Sequence, residues 1–104
     1  MAISFSSRPE KTEEVTYKDD KFNITYKISG SSGMLDFGQA IGQFKEGTPI
    51  LGEAVVRFIK KHLISWTLPE PVERLDELDD PMVLVEIFKT MLKGTVEELA
   101  KEKN

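Results

Sequence analysis

Hydrophobic and polar residues alternate in the first third of the chain and recur at helical spacing in the second half. Every second residue from Phe22 to Ile28 is apolar, and the residues between them are polar, as in a half-buried strand. The segment around Val15 alternates in the same way, and a polar Lys-Asp-Asp-Lys run separates the two. The pattern predicts an antiparallel hairpin over residues 13–28.

The segments on either side of the hairpin are less regular. Residues 1–12 are rich in Ser, Pro and charge, and we expect a loose leader or a short strand there. The Ser-Gly run at 29–33 predicts a flexible break. The apolar residues of 34–46 fit a strand and turn or a weak helix, and we favour a weak helix from about Phe37.

The strongest helical periodicity follows in the helical part, residues 48–103. Thr48 and Pro49 have the form of an N-cap and a first helical residue. Apolar residues then recur on one face up to Trp66, and the Pro-Glu-Pro sequence after it ends the helix. The residues of this face are Leu51, Val55, Phe58, Ile59, Leu63 and Trp66.

Beyond the prolines, a single helical turn is predicted over residues 73–78, followed by a helix with Asp80 as its N-cap. The apolar face of that helix is too broad for a simple surface helix, so part should meet the core and part a partner. Gly94 is expected to end this helix. The Thr-Val-Glu-Glu sequence at 95–98 predicts a capping box for a last short helix.

These elements predict an α+β fold in a single domain, residues 1–104. An N-terminal antiparallel β-hairpin of two or three strands packs on a C-terminal helical half of three to four helices. The predicted core comprises Ile24, Tyr26, Val55, Phe58, Ile59, Leu63, Leu75, Leu78, Val85 and Phe88.

The composition of the chain argues against several classes of function. The net charge of −4 argues against sequence-independent binding to nucleic acid, which needs a basic face. The chain has no cysteine, which excludes disulfides and thiolate chemistry. No apolar run approaches the roughly 20 residues of a membrane span, and the N-terminus is unlike a secretory signal. We therefore expect a cytoplasmic protein that binds neither nucleic acid nor a membrane.

Residues suited to catalysis or metal binding are few. His62 is the only histidine and has no carboxylate at metal-ligand spacing on its helix, so we interpret it as a boundary or solvent residue. Asp76, Asp79 and Asp80 could hold a divalent cation, but helix-start electrostatics and a solvated face explain them better. An acidic docking surface for a basic partner is a third interpretation. We predict no enzyme activity and no cofactor.

Trp66 is the only tryptophan, and it can anchor either the core or an interface. The helical stripe leads to it, which favours the core or its edge, whereas tryptophan is enriched at binding hot spots. The residues predicted to contact a partner are Trp66, Met82, Val83, Ile87 and Met91.

The Leu-Ile-Ser-Trp-Thr-Leu tract at 63–68 is followed by a proline-bearing connector at 69–72, the leucines at 75 and 78 and an aliphatic helix from Pro81 to Leu92. This arrangement resembles the small tail assembly chaperones of long-tailed bacteriophages. The resemblance implies a protein of the host cytoplasm that binds the tape measure protein while tail-tube subunits polymerise around it. It also implies a capacity for self-association.

Three hypotheses follow. The leading one is a non-enzymatic binding protein of the tail assembly chaperone kind. The alternative is a structural virion component, of the tail-tube or head–tail connector type, that self-associates. The third is a small enzyme or metal-dependent regulator that uses the acidic cluster.

Overall fold

The computed structural model describes residues 10–28, 30–44 and 52–102. Within these ranges the chain forms a three-stranded antiparallel sheet, three α-helices and a short 3₁₀ helix, which confirms the predicted α+β class. The elements are β1 (Lys11–Tyr17), β2 (Asp20–Tyr26), α1 (Gly30–Gln43), α2 (Glu53–His62), β3 (Leu63–Trp66), the 3₁₀ helix (Val72–Glu77) and α3 (Met82–Glu102).

The predicted hairpin is present, with β1 and β2 paired from Lys11↔Tyr26 to Tyr17↔Asp20. It starts and ends two residues earlier than predicted, so Lys11 and Thr12 belong to β1 and not to a leader. The rest of the predicted leader, residues 1–9, lies outside the described residues. Lys18 in the turn has a φ of 54°, a left-handed conformation that bulky residues seldom adopt.

The third strand comes from a segment for which a helix was predicted. Helix α2 ends at His62 and the next residue begins β3, which pairs antiparallel with β2. The prediction that this helix continues to Trp66 was therefore wrong beyond His62. The edge of β2 offers backbone groups that need partners: Lys27 N–H donates to the His62 carbonyl at 3.1 Å, and Thr67 N–H donates to the Asn23 carbonyl at 3.0 Å.

Helix α1 begins at Gly30, so the prediction of a flexible break was wrong for residues 30–33. The helix is also longer than the one predicted from about Phe37. Its buried face includes Gly33, where an added Cβ would lie 3.2 Å from the Ile28 side chain. The glycine thus serves close packing here. The predicted N-cap of the next helix, Thr48, lies outside the described residues, and α2 begins at Glu53.

Helix α3 runs unbroken through Gly94, so the predicted helix end and the capping box at 95–98 were both wrong. A side chain at Gly94 would collide with the hydroxyl group of Tyr26, and the glycine lets the sheet approach the helix there. The predicted start of the helix is confirmed, because the Asp80 carboxylate accepts a hydrogen bond from Met82 N–H at 3.0 Å, as an N-cap does.

The sheet and the helices bury one cluster of apolar side chains within the described ranges. Every predicted core residue is buried except Leu78, which is partly buried and packs against the cluster. Phe58 lies near the centre, with its ring centroid 5.7 Å from those of Phe37 and Phe88. Buried residues outside the predicted core include Val15, Phe22, Phe37, Ala40, Ile87 and Met91.

Candidate partner-binding groove

The residues predicted to contact a partner divide into two groups. Ile87 and Met91 are completely buried, with 0% exposure, and belong to the core. Their burial does not fit the predicted partner contact, because the broad apolar face of α3 is covered by the sheet and the other helices of the same chain. Trp66 and Val83 are partly buried and pack against the core, and Met82 is partly buried.

Trp66 is the last residue of β3 and pairs with Ile24 across the sheet. Its ring packs against the core, while its indole N–H donates to the carbonyl of Glu70 at 2.6 Å. The Pro-Glu-Pro segment therefore folds back over the strand end, because the indole fixes its backbone. Trp66 is a core-edge residue with part of its ring open to solvent.

Two adjoining hollows extend from Trp66 across the surface. The first, of about 210 Å³, is bounded by Trp66 at one end, and the second, of about 410 Å³, reaches Val83 at the start of α3. Leu68, Pro69 and Leu78 line both hollows. We call the continuous surface formed by these five residues the Trp66 groove.

Acidic side chains lie along the groove. Arg74 is held between two of them: it donates to Glu70 at 2.6 Å and to Glu77 at 3.0 and 3.1 Å. These hydrogen bonds, first the ones to Glu77 and then the one to Glu70, raise the pKa of Arg74. Asp20 is exposed and lines the second hollow.

The far end of the groove is fixed by a contact between the hairpin and α3. The Tyr17 hydroxyl donates to the Asp80 carboxylate, which also caps the helix and lies 3.8 Å from Lys18 Nζ. The Tyr17 hydrogen bond and then the Met82 N–H lower the pKa of Asp80, and the same bond raises the pKa of Tyr17. This contact holds Val83 beside the hairpin.

The acidic residues considered for a cation do not converge. Asp76 pairs with Lys60 at 2.5 Å, whereas Asp80 is taken up by the helix cap. Asp79 is exposed. Residues 10–28, 30–44 and 52–102 contain no group of three or more histidine, aspartate or glutamate residues that could hold a metal ion. The cap formed by Asp80 agrees with the interpretation as helix-start electrostatics, and the exposure of Asp76 and Asp79 agrees with a solvated face.

His62 is in a tighter environment than expected for a boundary residue, with 9% of it exposed. Its Nε2 lies 3.0 Å from an Asp36 carboxylate oxygen, and its Nδ1 lies 3.3 Å from the Lys27 carbonyl. The ring packs on Phe58 at 4.8 Å. Hydrogen bonds from Lys61 and then His62 lower the pKa of Asp36.

Asp36 was not predicted as a partner of His62, because spacing along the histidine's own helix shows only partners on that helix. Asp36 lies on α1, and no local spacing signals a pairing between two helices. Leu68 was also missed as a groove residue, although its place beside two prolines was a signal. A residue that precedes proline is biased towards extended backbone conformations, which disfavours a helix that continues through Leu68.

No helix in the described ranges has both the length and the apolar character that crossing a membrane requires. Comparison of this chain with protein-family models, with curated proteins and with solved structures found no match.

Proposed function

We propose that this protein is a non-enzymatic binding protein whose Trp66 groove receives an apolar segment of a partner protein. In this proposal it acts as a tail assembly chaperone in the host cytoplasm and keeps the tape measure protein soluble. The observation that carries the proposal is the groove itself, which is lined by a half-open tryptophan and two leucines together with Pro69 and Val83.

The physical basis is the cost of leaving such a surface in water. Burying apolar surface is favourable by about 25 cal/mol of free energy per Å². Tryptophan contributes strongly to many interfaces because one ring buries a large area. Trp66 is held in place by its hydrogen bond to the Glu70 carbonyl. Its side chain is therefore already ordered, and little conformational entropy of that side chain is lost when a partner binds.

The test is co-expression with a long coiled-coil tape measure protein from the same genome. We expect the tape measure protein to remain soluble with the wild-type chain and to precipitate without it. Leu78→Glu, which puts a charge into the groove, should abolish this protection. An unchanged solubility of the tape measure protein would refute the proposal.

Val96→Glu is the matched control. Val96 is 51% exposed on α3, about 20 Å from Val83 along the helix axis, so the substitution adds the same charge to an apolar surface outside the groove. Protection should survive it. Circular dichroism of both variants separates loss of binding from loss of fold.

A second candidate, a structural virion component that self-associates, is favoured by the sheet edge. Strand β1 pairs with β2 on one side, and no other described strand pairs with its second side. Such an edge can add a strand from another copy. Finding the protein in purified particles would favour this role, since a chaperone leaves after assembly.

A further inference from the structure

We infer that the segment received by the Trp66 groove is a basic amphipathic helix, with apolar residues one helical turn apart and lysine or arginine beside them. The inference rests on the proposed binding function and specifies the chemistry of the partner. It has a geometric part and an electrostatic part.

The geometric part comes from the shape of the groove. Its two hollows share Leu68, Pro69 and Leu78 as a common wall, so two side chains that fill them must be close neighbours on the partner. Residues three or four apart on a helix have Cβ atoms about 5–6 Å apart and point the same way. A helix lying in an apolar groove uses these spacings.

The electrostatic part comes from the acids around the groove. Glu70 and Glu77 line the first hollow, and the exposed Asp20 lines the second. Cations on the lining are fewer, namely Lys21 and Arg74. The surplus of negative charge favours a basic partner and disfavours an acidic one.

Arg74 already occupies the place that a partner's cation would take. It bridges Glu70 and Glu77 at the mouth of the first hollow, so an incoming lysine or arginine must compete with it for the same carboxylates. Arg74→Met keeps most of the apolar stem and removes the competing charge. It should therefore strengthen the binding of a basic helix.

The experiment uses the full chain and synthetic peptides without tryptophan, with Trp66 emission as the reporter because it is the only tryptophan. The probe peptide carries leucine at positions i and i+4 and lysine or arginine on the flanks. One comparison peptide has the same composition with alternating leucines, and another has glutamate in place of the cations. Isothermal titration calorimetry provides a second readout.

We expect the basic helical peptide to bind at least about tenfold more tightly than either comparison peptide and to weaken as salt screens the charges. The double variant Asp20→Lys/Glu77→Lys, at acids that line the two hollows, should weaken it by about tenfold. Glu14→Lys/Glu53→Lys makes the same change in net charge at exposed acids away from the groove and should leave affinity within about twofold.

Equal binding of the acidic peptide, tighter binding of the alternating peptide, or equal effects of the two double variants would overturn the inference. So would a lack of any heat or emission change with the basic peptide. The proposed function fails separately. If the tape measure protein binds through Leu78 without salt dependence, the proposed function is supported and the inference of a basic helix is refuted. If the basic peptide binds but the tape measure protein is not protected, the inference is supported and the proposed function is refuted.

Discussion

At Gly94, helix propensity and tertiary packing act in opposite directions. A glycine inside a helix costs roughly 0.5–1 kcal/mol relative to alanine, yet a Cβ here would collide with the Tyr26 hydroxyl. We therefore expect Gly94→Ala to lower the free energy of unfolding by about 1–3 kcal/mol, as overpacking does. Gly38 on α1 has open space around it, so Gly38→Ala should raise the same quantity by about 0.5–1 kcal/mol. Urea denaturation of both variants measures the difference.

Tyr26→Phe is the control for this mechanism. The Tyr26 hydroxyl is buried without a hydrogen-bond partner among the described residues, and burial, followed by the charge of Glu13, raises its pKa. Removing it should change stability by less than about 1 kcal/mol. In the Gly94→Ala background the same change should restore part of the loss. Additive effects would show that the two residues are not coupled.

Asp80 is predicted to make the stability of the fold depend on pH in the acidic range. Its folded-state pKa is lowered, first by the Tyr17 hydroxyl and then by Met82 N–H, so its stabilising effect is complete above the unfolded value of about 3.9. The stabilising effect is lost as pH falls through the lower pKa of the folded state, because the unfolded chain binds the proton more readily than the folded chain does. Asp80→Ala should lower Tm at neutral pH and match wild type more closely as pH falls through the lowered pKa of the folded state.

Asp80→Asn separates the cap from the charge. Asparagine caps a helix about as well as aspartate, so this variant should retain most of the Tm at neutral pH and depend less on pH below about 4. A Tm difference between wild type and Asp80→Ala that stayed constant from neutral pH to strong acid would contradict the role of the carboxylate. Thermal melts followed by circular dichroism provide the measurement.

At the scale of elements, the junction between α2 and β3 marks where sequence reasoning succeeds and where it fails. The alternation from Phe22 to Ile28 and the cap at Asp80 are local signals, and both predicted their elements correctly. The change from helix to strand after His62 depends on the open edge of β2, which is distant in sequence. Apolar spacing at Leu63 and Trp66 fits either element, so the tertiary partner decides.

Substitutions at Ser65 test that change of element. Ser65 is exposed and pairs with Thr25 across the sheet, a position where a β-branched side chain should be favoured. We expect Ser65→Val to be more stable than Ser65→Ala by about 0.5–1 kcal/mol. If the segment were helical, as the stripe suggested, the order would reverse because alanine has the higher helix propensity. Chemical denaturation of the two variants gives the sign.

At the scale of the molecule, the groove is continuous with the hydrophobic core. Leu78 and Trp66 are partly buried and pack against the same cluster that contains Phe58 and Phe88. Sequence patterning predicted most of this core, because periodicity shows which face of an element is apolar. It could not show that α3 buries Ile87 and Met91 inside the chain, since the covering sheet lies far away in sequence. The groove itself likewise depends on the fold-back of the Pro-Glu-Pro segment onto the Trp66 indole.

This continuity predicts that the groove and the helices unfold together. All described strands and helices contribute to one buried cluster, and domains of this size usually unfold in a single cooperative transition. Trp66 emission reports on the groove, whereas far-ultraviolet circular dichroism reports mainly on the helices, so their urea midpoints should coincide. A Trp66 transition at lower urea would mean that the groove opens locally before the core. Leu78→Glu should then shift the emission midpoint alone, whereas in the cooperative case it shifts both midpoints equally.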